Sequence, residues 1–362
     1  MVAAAAAIIA GSIVYANSHG GASSGPQPTP TPTRIPTTSA PPTPRGSPTH
    51  SVNLQHWRVR GFLDDLNVDV FARSDSALYR IQTAKQLVTA TPTRNLQSGG
   101  ALMFIVDHDQ VIVRGWGSPS DGFRVYDGKP AADLPERLKT PDNILPGPLG
   151  RLWVTTYSGD DPTTQLTDLD GRPVRAARGT SSYPADAVQS DGDGGLIVSS
   201  AGGYYAMTVD GPKRITRGQL LAVGPTVILT ADCDRAMHCS RYLFDRDSGQ
   251  RQRIGPAPVT DNESGTVSRD GRHAALWRWS RYGPAELRII DLTTGGTLTR
   301  LKDPNGTGDT SSLLWLPDGR LIGVLSGRIF VYDPTTGKVT KPDLRLPDGI
   351  QQLGLRTHDD SG

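Results

Sequence analysis

One phrase recurs seven times along this chain, and it limits the possible folds more than any other feature. A short run rich in β-formers ends at a turn, and a second apolar run follows. The copies begin at Ala77, Phe123, Leu166, Tyr205, Tyr242, Leu287 and Ile329. The last two read Leu287-Arg-Ile-Ile-Asp-Leu-Thr-Thr-Gly-Gly and Ile329-Phe-Val-Tyr-Asp-Pro-Thr-Thr-Gly-Lys. A fixed-period repeat means one structural unit stacked on copies of itself, since no unit alone can bury its apolar face.

Each copy has an apolar run upstream, starting at Val68, Val111, Leu152, Leu196, Val227, Ala274 and Leu321. The steps between these starts are 43, 41, 44, 31, 47 and 47 residues. Further runs flank the pair, such as Ala101–Val106 before it and Lys338–Thr340 after it. Four short strands per unit at about 42 residues per step describe a β-propeller blade. The expected fold is therefore all-β: a seven-bladed β-propeller of four-stranded antiparallel blades, with no helix from Trp57 onward. The short step from 196 to 227 implies a trimmed fourth blade. The first unit lacks an obvious inner strand, and Ile350–Arg356 is a strand-like run without partners of its own. It is expected to pair beside Val68–Ala72 and close the ring, which would remove an open sheet edge. The alternative inner strand, Arg58–Leu63, leaves that run unexplained.

Three segments are expected: 1–17, 18–56, and the propeller domain 57–362. Val2–Ala16 is uncharged and apolar but shorter than the roughly 20 residues that span a bilayer. Two readings stand: an uncleaved anchor for a single-pass membrane protein with an extracytoplasmic C-terminal domain, or a cleaved signal peptide on a secreted one. Val14-Tyr15-Ala16 offers the small residues a signal peptidase reads. The first Lys or Arg is Arg34, and this missing basic flank points to an upstream start. The next segment holds nine prolines between Pro26 and Pro48, which deny the backbone helix and ladder donors. It reads as an extended tether at roughly 3.1 Å per residue.

Charge narrows the partners. The net charge is +2 with both signs interspersed, so nucleic acid is not expected. The two cysteines, Cys233 and Cys239, match no zinc spacing, but a hairpin would bring them to disulfide distance in an oxidising compartment. No catalytic or phosphate-loop motif occurs, and neither metal nor cofactor is expected. Asp191-Gly-Asp-Gly-Gly departs from the calcium loop of an EF-hand and sits where blade turns sit. The recurring Asp127, Asp170, Asp210, Asp245, Asp291 and Asp333 read as turn openers, because Asp bonds the backbone N–H groups of its own turn.

Ser268-Arg-Asp-Gly-Arg-His-Ala-Ala-Leu-Trp with Ala285–Gly296, and Trp315–Leu321 with Ile329–Gly337, resemble the TolB-type, WD-repeat-like unit of exported bacterial propellers, with an actinobacterial look. The Gly-His and Trp-Asp pairs of true WD repeats are absent. The resemblance implies blade turns rather than an activity.

Loops between second and third strands usually lie on the ligand-entry face. They carry Trp116, Tyr157, Asp160, Asp161, Arg235, His238, Trp279, Arg281 and Tyr282, aromatic and forked donors suited to peptide or sugar. The plainer reading is that tryptophans plug gaps between blades and the rest are solvated. The expected function is a non-catalytic, monomeric binding or scaffold module for a protein, peptide or cell-envelope glycan. The alternative is a glycan-active hydrolase or lyase using Asp160 and Asp161 near the central channel.

Overall fold

The computed structural model describes residues 54–93, 102–107, 110–115, 122–126, 129–148, 150–175, 182–191, 194–208, 211–236, 238–256, 262–280, 283–303, 312–347 and 349–357. All of them belong to one compact unit, Val52–Gly362. This unit is an all-β propeller with four-stranded antiparallel blades. From inner to outer strand, the second sheet runs Leu102–Val106, Gln110–Gly115, Gly122–Tyr126, Ala132–Asp133. The third runs Asn143–Pro146, Arg151–Ser158, Asp161–Asp168, Ser182–Tyr183, and the fourth Asp186–Ser190, Leu196–Ser200, Gly203–Thr208, Gly211–Thr216. The last runs Leu313–Trp315, Leu321–Leu325, Arg328–Asp333, Lys338–Thr340.

Two sheets depart from this plan. An eight-stranded sheet joins two antiparallel quartets through a parallel pair, Gln219–Val223 against Asn262–Val267, with Ala222 opposite Gly265 and Val223 opposite Thr266. Gly265 is also closely packed against its antiparallel neighbour, since a Cβ there would collide with the Ala275 carbonyl. The first sheet has five strands. Val68–Arg73, Ala77–Gln82 and Leu87–Pro92 are flanked outside by Gln55–Arg58 and inside by Gln352–Thr357. Six residue pairs bind the C-terminal strand to Val68–Arg73, so the expected pairing of Ile350–Arg356 beside Val68–Ala72 is present. Gly354 permits it to approach the second sheet, since a Cβ there would strike Val106.

Burial follows position in the blade. All six residues of Val68–Arg73 are buried, because a second strand is covered on both faces by neighbouring sheets. The outer strand Thr297–Asp303 is largely exposed. Between sheets lie the largest fully buried side chains, among them Trp277, Tyr332, Phe71, Phe123 and Phe330. Tryptophans also pin sheet to sheet. Trp153 Nε1 donates to the Gly194 carbonyl at 3.0 Å and Trp315 Nε1 to the Thr266 carbonyl at 3.2 Å.

Three expectations need correction. One helical turn exists, Glu136–Lys139, with Leu138 fully buried. The fourth sheet keeps all four strands, and its brevity comes from tight turns such as that at Ala201 and Gly202. In the third sheet Asp168, not Asp170, holds the turn: its Oδ1 accepts from the N–H groups of Asp170 and Arg172. Asp170 instead accepts from Arg124 Nη1 at 2.9 Å, bridging to the second sheet. Asp245, Asp291 and Asp333 behave as expected, each accepting from backbone N–H and hydroxyl groups of its own turn. Asp127 and Asp210 lie outside the described residues. No helix among the described residues is long and apolar enough to cross a membrane; Val2–Ala16 is outside them.

Candidate functional site

Register places the relevant side chains at one end of each sheet. In the third sheet Thr155 faces Asn143, so the start of the inner strand lies beside the tip of the hairpin between the second and third strands. Asp186 faces Ser199, Gln219 faces Ala231, and Gln352 faces Arg73 in the same manner. This end, the rim, gathers the hairpin tips and the entries to the inner strands.

The structure distributes the sequence-selected residues over several hairpins. Tyr157, Asp160 and Asp161 share the tip of one hairpin in the third sheet, all exposed. Arg235 and His238 are exposed in a loop closed by the Cys233–Cys239 disulfide. Asp234 shapes that loop by accepting from the Ala236 and His238 N–H groups at 2.9 Å. Trp279 is half-buried against a cluster containing Trp277 and Leu287, so it fills space between sheets. Trp116, Arg281 and Tyr282 lie outside the described residues, as does His108. Asp191 accepts from Gly195 N–H and pairs with Arg246, which leaves its loop a structural role.

Sequence reasoning missed the residues that surround Tyr157. Its N–H donates to Asp142 Oδ2 at 2.9 Å. Its phenol is pushed up to about 12 by partial burial, then by the Asp186 carboxylate to which it bonds, and by the charge of Asp142. Arg114, 2% exposed, donates from Nη2 to the Lys139 carbonyl, while Nε and Nη1 find no hydrogen-bond partner among the described residues. Burial lowers its affinity for its proton and the Asp142 charge opposes this. No local signal marks Arg114, Asp142 or Asp186, because their relation depends on how neighbouring sheets pack.

Around the rim the same pattern continues. Asn143 Nδ2 donates to the Ala187 carbonyl, joining the third sheet to the fourth. The Thr216 hydroxyl donates to Asp232 at 2.7 Å. Glu263, with its side chain 2% exposed, binds Arg241 Nη2 at 2.6 Å and Arg288 Nη1 at 3.4 Å across the two halves of the eight-stranded sheet. Asp303 accepts from the Ser326 hydroxyl at 2.8 Å, and buried Arg73 reaches Gln351 and Gln352. The Asn143, Thr216 and Asp303 contacts fasten sheet to neighbouring sheet, Glu263 ties the two halves of the eight-stranded sheet, and Arg73 holds the C-terminal strand within the first. The buried carboxylates Asp69, Asp191, Glu263 and Asp303 are all engaged, the first three by arginine. Glu286 is held below the usual range by its hydrogen bond to Arg288. A general acid needs the opposite shift.

A groove of about 740 Å³ lies at the rim end of the first sheet. Its floor is Trp57 and Tyr79, with ring centroids 6.2 Å apart at 69°, and Pro92, Pro347, Gln55 and Arg345 contribute to its walls. Strand alternation creates it: Gln55 and Trp57 face the groove, while Leu54 and His56 face a smaller cavity of about 220 Å³ between the first and second sheets.

No family model and no curated sequence matches the chain. Several solved structures align with most of the chain. TolB from Acinetobacter baumannii aligns with a TM-score of 0.41 at 12% identity, covering 80% of this chain and 66% of that one. A periplasmic gluconolactonase from Pseudomonas aeruginosa aligns at 0.42 and 15%, covering 80% and 98%. A protein of unknown function from Desulfotomaculum acetoxidans aligns at 0.45 and 11%, covering 81% and 100%.

Proposed function

We propose that the domain is a non-catalytic binding or scaffold propeller, working outside the cytoplasm on a protein, peptide or cell-envelope glycan. One observation carries this reading. The buried carboxylates at the rim, Glu263 and Asp303, are held in structural contacts, while the first sheet carries a groove of about 740 Å³ lined by aromatic and proline side chains. Aromatic faces with a forked cation recognise ligands by stacking and hydrogen bonding, without acid–base chemistry. The disulfide and the export-like N-terminal run support an oxidising compartment.

The proposed architecture is a closed ring of seven blades. The parallel pair at Ala222 and Gly265 divides the eight-stranded sheet into two quartets, and Gln352–Thr357 supplies the inner strand of the first blade. Such a ring presents a rigid frame with few open edges.

The test is cross-linking and co-purification of the full chain from its native envelope, followed by identification of what is bound. Specific recovery of an envelope protein or glycan supports the reading. Recovery of nothing, together with turnover of a glycan that Asp160→Asn and Asp161→Asn abolish, overturns it in favour of the hydrolase or lyase.

A further inference from the structure

Building on the binding reading, we infer that the Trp57–Tyr79 groove is a docking site for an extended, proline-rich peptide that carries an acidic residue. The groove volume lies in the range of sites that hold ligands of peptide-fragment size. The buried Tyr79 ring packs edge-on against half-buried Trp57, so Trp57 supplies the accessible ring. Trp57 has no polar atom to offer a ligand, because its Nε1 already donates to the Leu344 carbonyl at 3.0 Å. What it presents is ring surface, and proline rings in polyproline II conformation pack on such surfaces at low entropic cost. Pro92 and Pro347 continue the apolar walls.

Charge then selects among proline-rich partners. Among the described residues that line the groove, Arg345 is the one that carries a charge, and it is exposed. It sits at φ +52°, a left-handed conformation that a long side chain adopts at a cost and that functional sites retain. Asp343 is not part of the groove lining; its carboxylate accepts from the Arg345 backbone N–H. A carboxylate on the peptide would find an exposed guanidinium to pair with. The chain's own proline tract, Pro26–Pro48, carries Arg34 and Arg45 and no acid, so its charge does not complement the groove.

The test titrates the full-length protein with short synthetic peptides built from Pro-Pro-Glu-Pro, the same peptide with Lys for Glu, a Gly-Ser-Glu peptide without proline, and the chain's own tract. The Pro-Glu peptide should bind best. Trp57→Ala should weaken it by about tenfold or more, while Trp57→Phe retains most binding by keeping a ring. Arg345→Glu, an exposed change whose fold is checked by melting, should weaken it by about fivefold and favour the Lys peptide. Equal binding of the peptides with and without proline, or indifference to Arg345→Glu, overturns the inference, as does preference for the chain's own tract. If envelope partners still co-purify with the Trp57→Ala and Arg345→Glu proteins, the groove is not the docking site but the binding reading stands. If the peptides bind as expected and glycan turnover is also found, the groove inference stands and only the non-catalytic part of the proposed function fails.

Discussion

At the scale of single residues, the repeated aspartate is a local fastener whose protonation state matters. Asp291 and Asp333 sit below the usual carboxylate range, chiefly through hydrogen bonds from the Thr293 and Thr335 hydroxyls, and Asp245 through Ser248. A carboxyl group whose folded pKa is depressed adds stability above its unfolded value, near 3.9, and that stability is lost as pH falls toward the folded value. The melting temperature should therefore be flat through neutral and mildly acidic pH and fall below about pH 4. Asp291→Asn should melt lower at neutral pH and show a smaller acid drop; an unchanged pH profile would exclude this contribution. The buried network at Glu263 has larger stakes. Glu263→Ala leaves Arg241 and Arg288 facing each other at a mostly buried site, and should cost about 3–5 kcal/mol in urea unfolding.

Strands and hairpins were the legible part of the sequence. The second and third strands of every unit announce themselves because a strand covered on both faces reads as an uninterrupted apolar run, as in Val111–Val113 or Leu321–Leu325. The turn from Glu136 to Lys139 did not, since four residues carry no helical period. Gln55–Arg58 was also hidden: as an outermost strand it is mostly exposed and resembles linker. The candidate site was less legible than the fold. Tyr157 and its hairpin could be read from turn spacing. Asp142, Asp186 and Glu263 could not, because each meets its partner only after separate sheets pack. The disulfide was foreseeable because Cys233 and Cys239 flank a hairpin turn. Replacing both with serine opens a short loop and should cost about 2 kcal/mol. Arg235 and His238 should then become more sensitive to proteolysis. Labelling of two thiols in the unfolded, unreduced wild type would exclude the bond.

For the whole molecule, the two ends of the folded domain share one sheet. Gln55–Arg58 is its outermost strand and Gln352–Thr357 its innermost. Truncation after Gly349 removes buried Gln352, Leu353 and Arg356 and uncovers the edge of Val68–Arg73. The truncated protein should melt far lower and self-associate at the exposed edge. A milder probe, Leu353→Ala, should cost about 2–4 kcal/mol while leaving the ladder intact. Unchanged melting of the truncated protein would overturn the proposed ring closure.

The five-stranded sheet also sets an order of events during synthesis. Val68–Arg73 leaves the ribosome, or the export pore, nearly three hundred residues before the strand that covers it. Contacts separated by so much chain form late, after the loop between them has become compact. Until then the first sheet offers an open ladder to any extended segment within reach. The first sheet of such a domain stays open to mispairing until the strand Gln352–Thr357 has been made.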